Sequence, residues 1–153
     1  MKPHYWQGEW IDDLELMTRV ENLNSALPQA LQQHFELRDL LNACESLSAA
    51  LSNSSSETYR SLSDLLIVDG GQTNAEASES LAEIATFLSR TSLETKLTRE
   101  LGTLNPFTLR RQSYETSRFE AWAPLGFLVH VAPTNAFSVG ALSVIEGMLS
   151  GNV

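Results

Sequence analysis

Cysteine is nearly absent from this chain. Cys44 stands alone, which excludes an intrachain disulfide framework and a cysteine-based zinc site and fits a reducing cytoplasm. Long hydrophobic runs are missing as well. The opening Met1-Lys2-Pro3-His4-Tyr5-Trp6 lacks an apolar segment followed by a small-residue cleavage site, and no run reaches the length of a membrane span. A soluble, unexported, cytoplasmic protein is expected. Basic residues are scarce too, 10 Lys and Arg against 19 Asp and Glu, for a net charge of -9. Nucleic-acid binding draws most of its affinity from Lys and Arg neutralising phosphates, so a phosphate-backbone partner is not expected. His34 has no second or third ligand candidate nearby, and no metal site is expected.

What is present suits a folded chain: 153 residues, 42% hydrophobic and 8% aromatic, are enough to bury a core. The acidic excess is unevenly placed. Residues 1–100 hold 16 Asp and Glu against 7 Lys and Arg, whereas residues 101–153 hold 3 of each sign, and in the 33 positions from 121 to 153 the one charged side chain is Glu146. That change of composition marks a boundary. Residues 1–102 read as an N-terminal arm and helical region, 103–120 as a connecting segment, and 121–153 as the start of an α/β domain, a strand and helix buried inside a sheet.

Within the first region, Tyr5, Trp6 and Trp10 beside Asp12, Asp13 and Glu15 read as a short hairpin or extended arm over residues 1–24. From Ala26 to Leu51 the pattern turns helical, with Leu37, Leu40, Cys44, Leu47 and Leu51 spaced by three and four on one face. Cys44 therefore reads as a small buried hydrophobe rather than a nucleophile. Ser52-Asn53-Ser54-Ser55-Ser56 interrupts, and a shorter helix follows through Tyr59, Leu62, Leu65 and Leu66. Asp69-Gly70-Gly71 forces a turn. Thr73-Asn74-Ala75-Glu76 fits a capping box opening a helix with Ala77, Leu81, Ile84 and Leu88 on one face. Thr91-Ser92-Leu93-Glu94 offers a second box, with Leu93, Leu97 and Leu101 behind it and Gly102 as a left-handed cap. Arg110, Arg111 and Arg118 form a basic cluster on the connecting segment and read as a solvated surface feature.

Phe127-Leu128-Val129-His130-Val131-Ala132 is too continuously apolar for a surface strand, and Pro133 cannot donate to a sheet ladder, so pairing should end there. Thr134 and Asn135 then fall at the strand's carboxyl edge, where ligands bind in open α/β sheets. A helix follows through Phe137, Ala141, Val144, Ile145, Met148 and Leu149, closed at Ser150-Gly151-Asn152. From spacing alone Asn135 is a cap for that helix. No G-x-G-x-x-G turn follows the strand, so an ordinary Rossmann fingerprint is absent. A strand and crossover helix need a parallel partner, and none follows before Val153, so the chain reads as truncated in mid-fold.

Pro124-Leu125-Gly126, then Val131-Ala132-Pro133-Thr134-Asn135, then Ser150-Gly151-Asn152 resembles the opening of the cofactor domain of the aldehyde dehydrogenase superfamily. His130, Ser143 and the upstream Leu93-Glu94-Thr95-Lys96-Leu97-Thr98-Arg99-Glu100-Leu101-Gly102 resemble one branch in particular, the LuxC-type acyl-CoA reductases, fatty-acid reductases known from bacterial bioluminescence and from non-luminous relatives. The resemblance implies an α/β fold: a mostly helical N-terminal region followed by the first strand-helix unit of an aldehyde-dehydrogenase-like cofactor domain. It implies reduction of a fatty acyl-CoA or acyl thioester to an aldehyde with NADPH, through a cysteine-bound acyl intermediate. Asn135 matches the family's catalytic amide at the strand end, and Val131, Ala132, Pro133 and Thr134 match the strand end that approaches the cofactor's adenosine side. Acyltransferase or synthetase protein partners and a homo-oligomer for the complete protein are further implications.

The departures are equally specific. Phe137 stands where the family commonly has Pro, and Cys44 does not match the nucleophile, which with the glycine-rich cofactor segment is expected beyond Val153. Residues 1–153 alone are therefore expected to be inactive. Two alternatives accompany this reading. One is a non-catalytic helical interaction module or truncated relic, favoured by the acidic helical span. The other is a different aldehyde dehydrogenase branch, sharing the strand and Asn135.

Overall fold

The computed structural model describes residues 4–6, 9–32, 36–126, 128–131 and 137–152. They divide into two units, Met1–His34 and Phe35–Asn152. In the first, β1 (His4–Trp6) pairs antiparallel with β2 (Glu9–Ile11), with Tyr5 opposite Trp10. Of the short hairpin or extended arm expected over residues 1–24, the hairpin is present as far as Ile11, and from Asp13 the chain is helical instead. The chain then turns into α1 (Asp13–Glu21), because the Asp12 carboxylate accepts the Glu15 N–H at 2.8 Å and caps the helix. His4 Nε2 lies 2.7 Å from an Asp13 carboxylate oxygen, and Arg19 pairs with Glu9 at 3.0 Å, so helix and hairpin are tied at both ends.

The single helix expected from Ala26 to Leu51 is two. α2 (Leu23–Gln32) carries Pro28 inside it, and α3 (Leu37–Leu51) starts afresh after Glu36, whose backbone is extended at φ -88° and ψ 108°. Periodicity alone could not show that break, because apolar residues continue in helical register across it.

The second unit is a helical layer around α5 (Asn74–Leu88), which touches α3, α4 (Glu57–Val68), α6 (Arg90–Leu101) and α7 (Phe137–Leu149). Ala77, Leu81, Ile84 and Leu88 are all buried, as their spacing requires, and Leu81 and Ala77 have no exposed surface. Burial of a leucine at that depth stabilises by roughly 1.5–3 kcal/mol, which is why α5 organises the layer. The Thr73 hydroxyl accepts the Glu76 N–H while the Glu76 carboxylate accepts the Thr73 N–H at 2.8 Å, completing the expected capping box.

Three details differ from the periodic reading. In α3 the buried face runs through Leu40, Leu41, Cys44 and Leu51, while Leu47 is exposed. Ser48 turns inward instead, its hydroxyl donating to the Ala85 carbonyl at 2.6 Å and satisfying a polar group at the helix contact. In α4, Leu66 is buried and Leu65 exposed. The cap of α6 is Ser89 rather than Thr91: Ser89 is shared with the end of α5, and its hydroxyl accepts the Ser92 N–H at 3.3 Å. The reversal after Leu88 puts Ser89 where the new helix must begin.

The connecting segment holds a second short hairpin, β3 (Arg110–Arg111) against β4 (Phe119–Glu120). Arg110 pairs with Glu120 at 3.0 Å and donates to the Gly102 carbonyl at 3.1 Å, and the Arg111 guanidinium lies 5.8 Å from the Phe119 ring centroid. Two members of the basic cluster are thus used locally. The described residues are mostly helical, with two two-stranded antiparallel sheets. The strand expected over 127–132 is not formed at Leu128–Val131, since no other segment among the described residues lies beside it to complete a ladder.

Candidate functional site

The site the sequence singles out is the approach to Asn135 and the helix after it. α7 forms because its first eight residues carry no charge and its apolar positions meet the layer: Leu149 is buried, and Ala141 and Ile145 pack against the same core. Gly151, at φ +78°, closes it in the left-handed conformation expected of its cap. A side chain at 151 would also collide with Phe107, whose ring lies 2.9 Å from where a Cβ would sit.

One charge contact, from Lys96 to Glu146, ties α7 to α6, and a second, from Lys96 to Glu100, lies within α6. The Lys96 ammonium lies 2.8 Å from a Glu100 carboxylate oxygen and 2.8 Å from one of Glu146. Those carboxylates, Glu100 first and Glu146 second, hold the ammonium above its ordinary range, while Lys96 is the main reason the Glu100 carboxyl is held below its own. The same three charged side chains, with Leu97, Leu101, Leu149 and Ser150, line a cavity of about 120 Å³.

The segment leading toward Asn135 is fastened first to the end of α6 and then to α7 and the turn that follows it. Trp122 anchors its start, the indole N–H donating to the Leu101 carbonyl at 3.1 Å. Asn152 is buried, and its side-chain oxygen accepts the Gly126 N–H at 3.0 Å while its amide nitrogen donates to Ser150 Oγ at 2.9 Å. Farther along, His130 Nδ1 lies 2.8 Å from Ser143 Oγ. Between these, Gly147 lets the segment approach: a Cβ there would stand 3.1 Å from Leu128 Cδ1 and 3.2 Å from His130 Nε2.

Leu128 and His130 thus contact α7, His130 while itself remaining exposed, and the residues after each turn away. Val129 is 75% exposed and Val131 93% exposed. Of the residues expected at the cofactor, Val131 is placed on this outward side. Ala132, Pro133, Thr134 and the expected catalytic Asn135 lie outside the described residues, as does His34. Cys44 is in the core of the helical layer, where burial pushes its thiol pKa up and disfavours the nucleophilic thiolate. Among the described residues no group of three or more His, Cys, Asp and Glu could hold a metal, and no helix is long and apolar enough to cross a membrane.

Sequence reasoning missed three contributors. Asn152 read as part of a helix end and of the family motif, yet it also receives a backbone donor 26 positions upstream. Lys96 read as part of a motif, with nothing to show that its partner would be Glu146. Gly147 carried a usable signal, because a glycine inside a helix costs about 1 kcal/mol relative to alanine and so implies a close neighbour.

The family model for acyl-CoA reductase (LuxC) matches residues 18–153. The chain belongs to that family. The match reaches well upstream of residues 93–102 and 124–152, which carry the resemblance in the sequence, and takes in the helical layer. No curated protein and no solved structure matches the chain.

Proposed function

We propose that this chain is the N-terminal part of a reductase that converts a fatty acyl thioester to its aldehyde. In that reaction a cysteine thiolate would displace coenzyme A from the acyl carbonyl, the departing thiolate taking a proton from solvent, and NADPH, when bound, would supply the hydride that takes the enzyme thioester to the aldehyde and frees the cysteine thiolate. Asn135 donates its amide N–H to the oxyanion formed at each addition, where a preorganised donor is worth most. Cys44 is not the nucleophile, because it is buried with a raised pKa, so the reacting cysteine belongs to sequence outside these 153 residues.

The observation that carries this reading is the family match over residues 18–153. The two-sided segment Leu128–Val131 supports its finer part. One side meets α7 and the other exposes Val129 and Val131, as in a strand that further sheet and helix would cover in an aldehyde-dehydrogenase-like domain. The described residues also fit one end of a nucleotide site. Val131 offers an outward apolar surface to an adenosine, and the first turn of α7 bears no acidic side chain that would repel a pyrophosphate. NADPH supplies the hydride; this chain's contribution is to orient and exclude water.

The test is acyl-CoA-dependent oxidation of NADPH, followed in the full-length protein and in residues 1–153 side by side. Turnover with aldehyde formation is expected from the former and none from the latter. Turnover by residues 1–153 alone, or a full-length protein that forms no aldehyde from any acyl-CoA, would refute the reading.

A further inference from the structure

Between Leu128 and Val131 the chain has one polar side chain, His130, and the helix beneath it answers with one hydroxyl at the matching point, Ser143. Ser143 and Gly147 are four residues apart and lie on one face of α7. His130 touches both, with Nδ1 2.8 Å from Ser143 Oγ and Nε2 3.2 Å from where a Gly147 Cβ would be. The rest of the contact is apolar, and apolar contact specifies position weakly: Leu128 could slide along the helix at little cost.

We propose that His130 and Ser143 form a register pin that fixes which face of this segment is presented to the nucleotide. Side chains alternate along such a segment, so a slip of one residue would turn Val129 and Val131 inward and His130 outward. A slip of two would bring Leu128 or Ala132 onto Ser143, leaving the hydroxyl and the imidazole without each other. His130 is exposed and Ser143 half-buried, so water can reach both in either alternative, and what the observed register gains is the net hydrogen bond between them, about 0.5–1.5 kcal/mol. A single polar pair in an apolar contact is a known means of selecting one alignment over others of similar packing. His130 and Ser143 are accordingly positioning residues, acting through Val131. This rests on the reading of Val131 as a nucleotide contact.

The experiment compares Ser143→Ala, Ser143→Thr and the double variant Ser143→Ala/His130→Leu in the full-length protein. It measures amide hydrogen exchange at residues 128–131, unfolding stability and the dissociation constant for NADPH. Ser143→Ala should speed exchange there and weaken NADPH binding by about threefold to tenfold, the scale of one lost hydrogen bond, while Ser143→Thr, which keeps the hydroxyl, should restore both. The double variant replaces the polar pair with an apolar contact against α7, so stability should recover while NADPH affinity does not. A purely structural role would make them recover together, and that outcome overturns the proposal. So does unchanged exchange in Ser143→Ala. A full-length protein that binds no NADPH fails the proposed function instead, and exchange in the three variants then decides the pin by itself.

Discussion

Lys96 Nζ lies 2.8 Å from a carboxylate oxygen of Glu146, so the one charged side chain between Ala121 and Asn152 reaches back to the helical layer. In an otherwise apolar stretch, this contact gives α7 a directional tie to α6. Glu146 is about half exposed, which limits its strength. Glu146→Gln should lower stability by only about 0.5 kcal/mol, or roughly 1–2 °C in thermal midpoint. The difference should shrink in about 1 M salt, where exposed charges are screened. Equal destabilisation at low and high salt would mean that the pair does not act as a charge contact.

Stability should fall at both extremes of pH, for different groups. Lys96 is held above its ordinary 10.5, so its contribution is complete below that pH and lost as pH rises through the higher folded value. Glu100, held down mainly by Lys96, and Glu76, held down by the Thr73 N–H and then its hydroxyl, behave oppositely. Their contributions are present above the ordinary 4.5 and lost as pH falls through the lower folded values. Glu76→Gln removes one of these titrations. Its midpoint should lie below that of the parent near neutrality, and the gap should close on acidification. A gap that stays constant down to about pH 3 would contradict the linkage.

Asn152 accepts the Gly126 N–H from a buried position, so its loss leaves a backbone donor unpaired. Asn152→Ala should cost about 1–3 kcal/mol in chemical denaturation. Asn152→Asp keeps the acceptor but replaces the donor to Ser150 with a second oxygen, and should not rescue the loss. Full stability in the aspartate variant would show that the donor side of the amide is dispensable.

Cys44 is a packing residue in the core of the helical layer. Cys44→Ala should leave aldehyde formation by the full-length protein intact, whereas Cys44→Ser should be the less stable of the two. The serine buries a hydroxyl among leucines, at a cost on the order of 1–3 kcal/mol unless it finds a partner. Loss of the acyl-enzyme intermediate in Cys44→Ala, with the fold retained, would return Cys44 to the list of nucleophiles.

Much of the helical layer was legible because its signals are local. The Thr73 capping box, the Ala77, Leu81, Ile84 and Leu88 face and the Gly102 and Gly151 caps each depend on residues within a turn or two of one another. The errors arose where two local choices were nearly equal. Leu47 and Ser48 are adjacent, and the helix rotated the serine inward because the Ala85 carbonyl was there to accept its hydroxyl. Ser89 and Thr91 could each cap α6, and the point at which α5 ended decided between them.

By itself the sequence determined the composition of each face, the helix boundaries set by caps, and the residues whose pattern resembles the acyl-CoA reductase family. Tertiary structure alone decided which distant groups meet: Asn152 with Gly126, Lys96 with Glu146, His130 with Ser143. The physical reason is range. Caps and periodicities are satisfied within one element, whereas a buried amide or a single hydroxyl takes its partner from whatever segment the packing brings within hydrogen-bond distance. The unformed strand at Leu128–Val131 follows the same rule, since an apolar sequence permits a strand but only a neighbouring strand completes one.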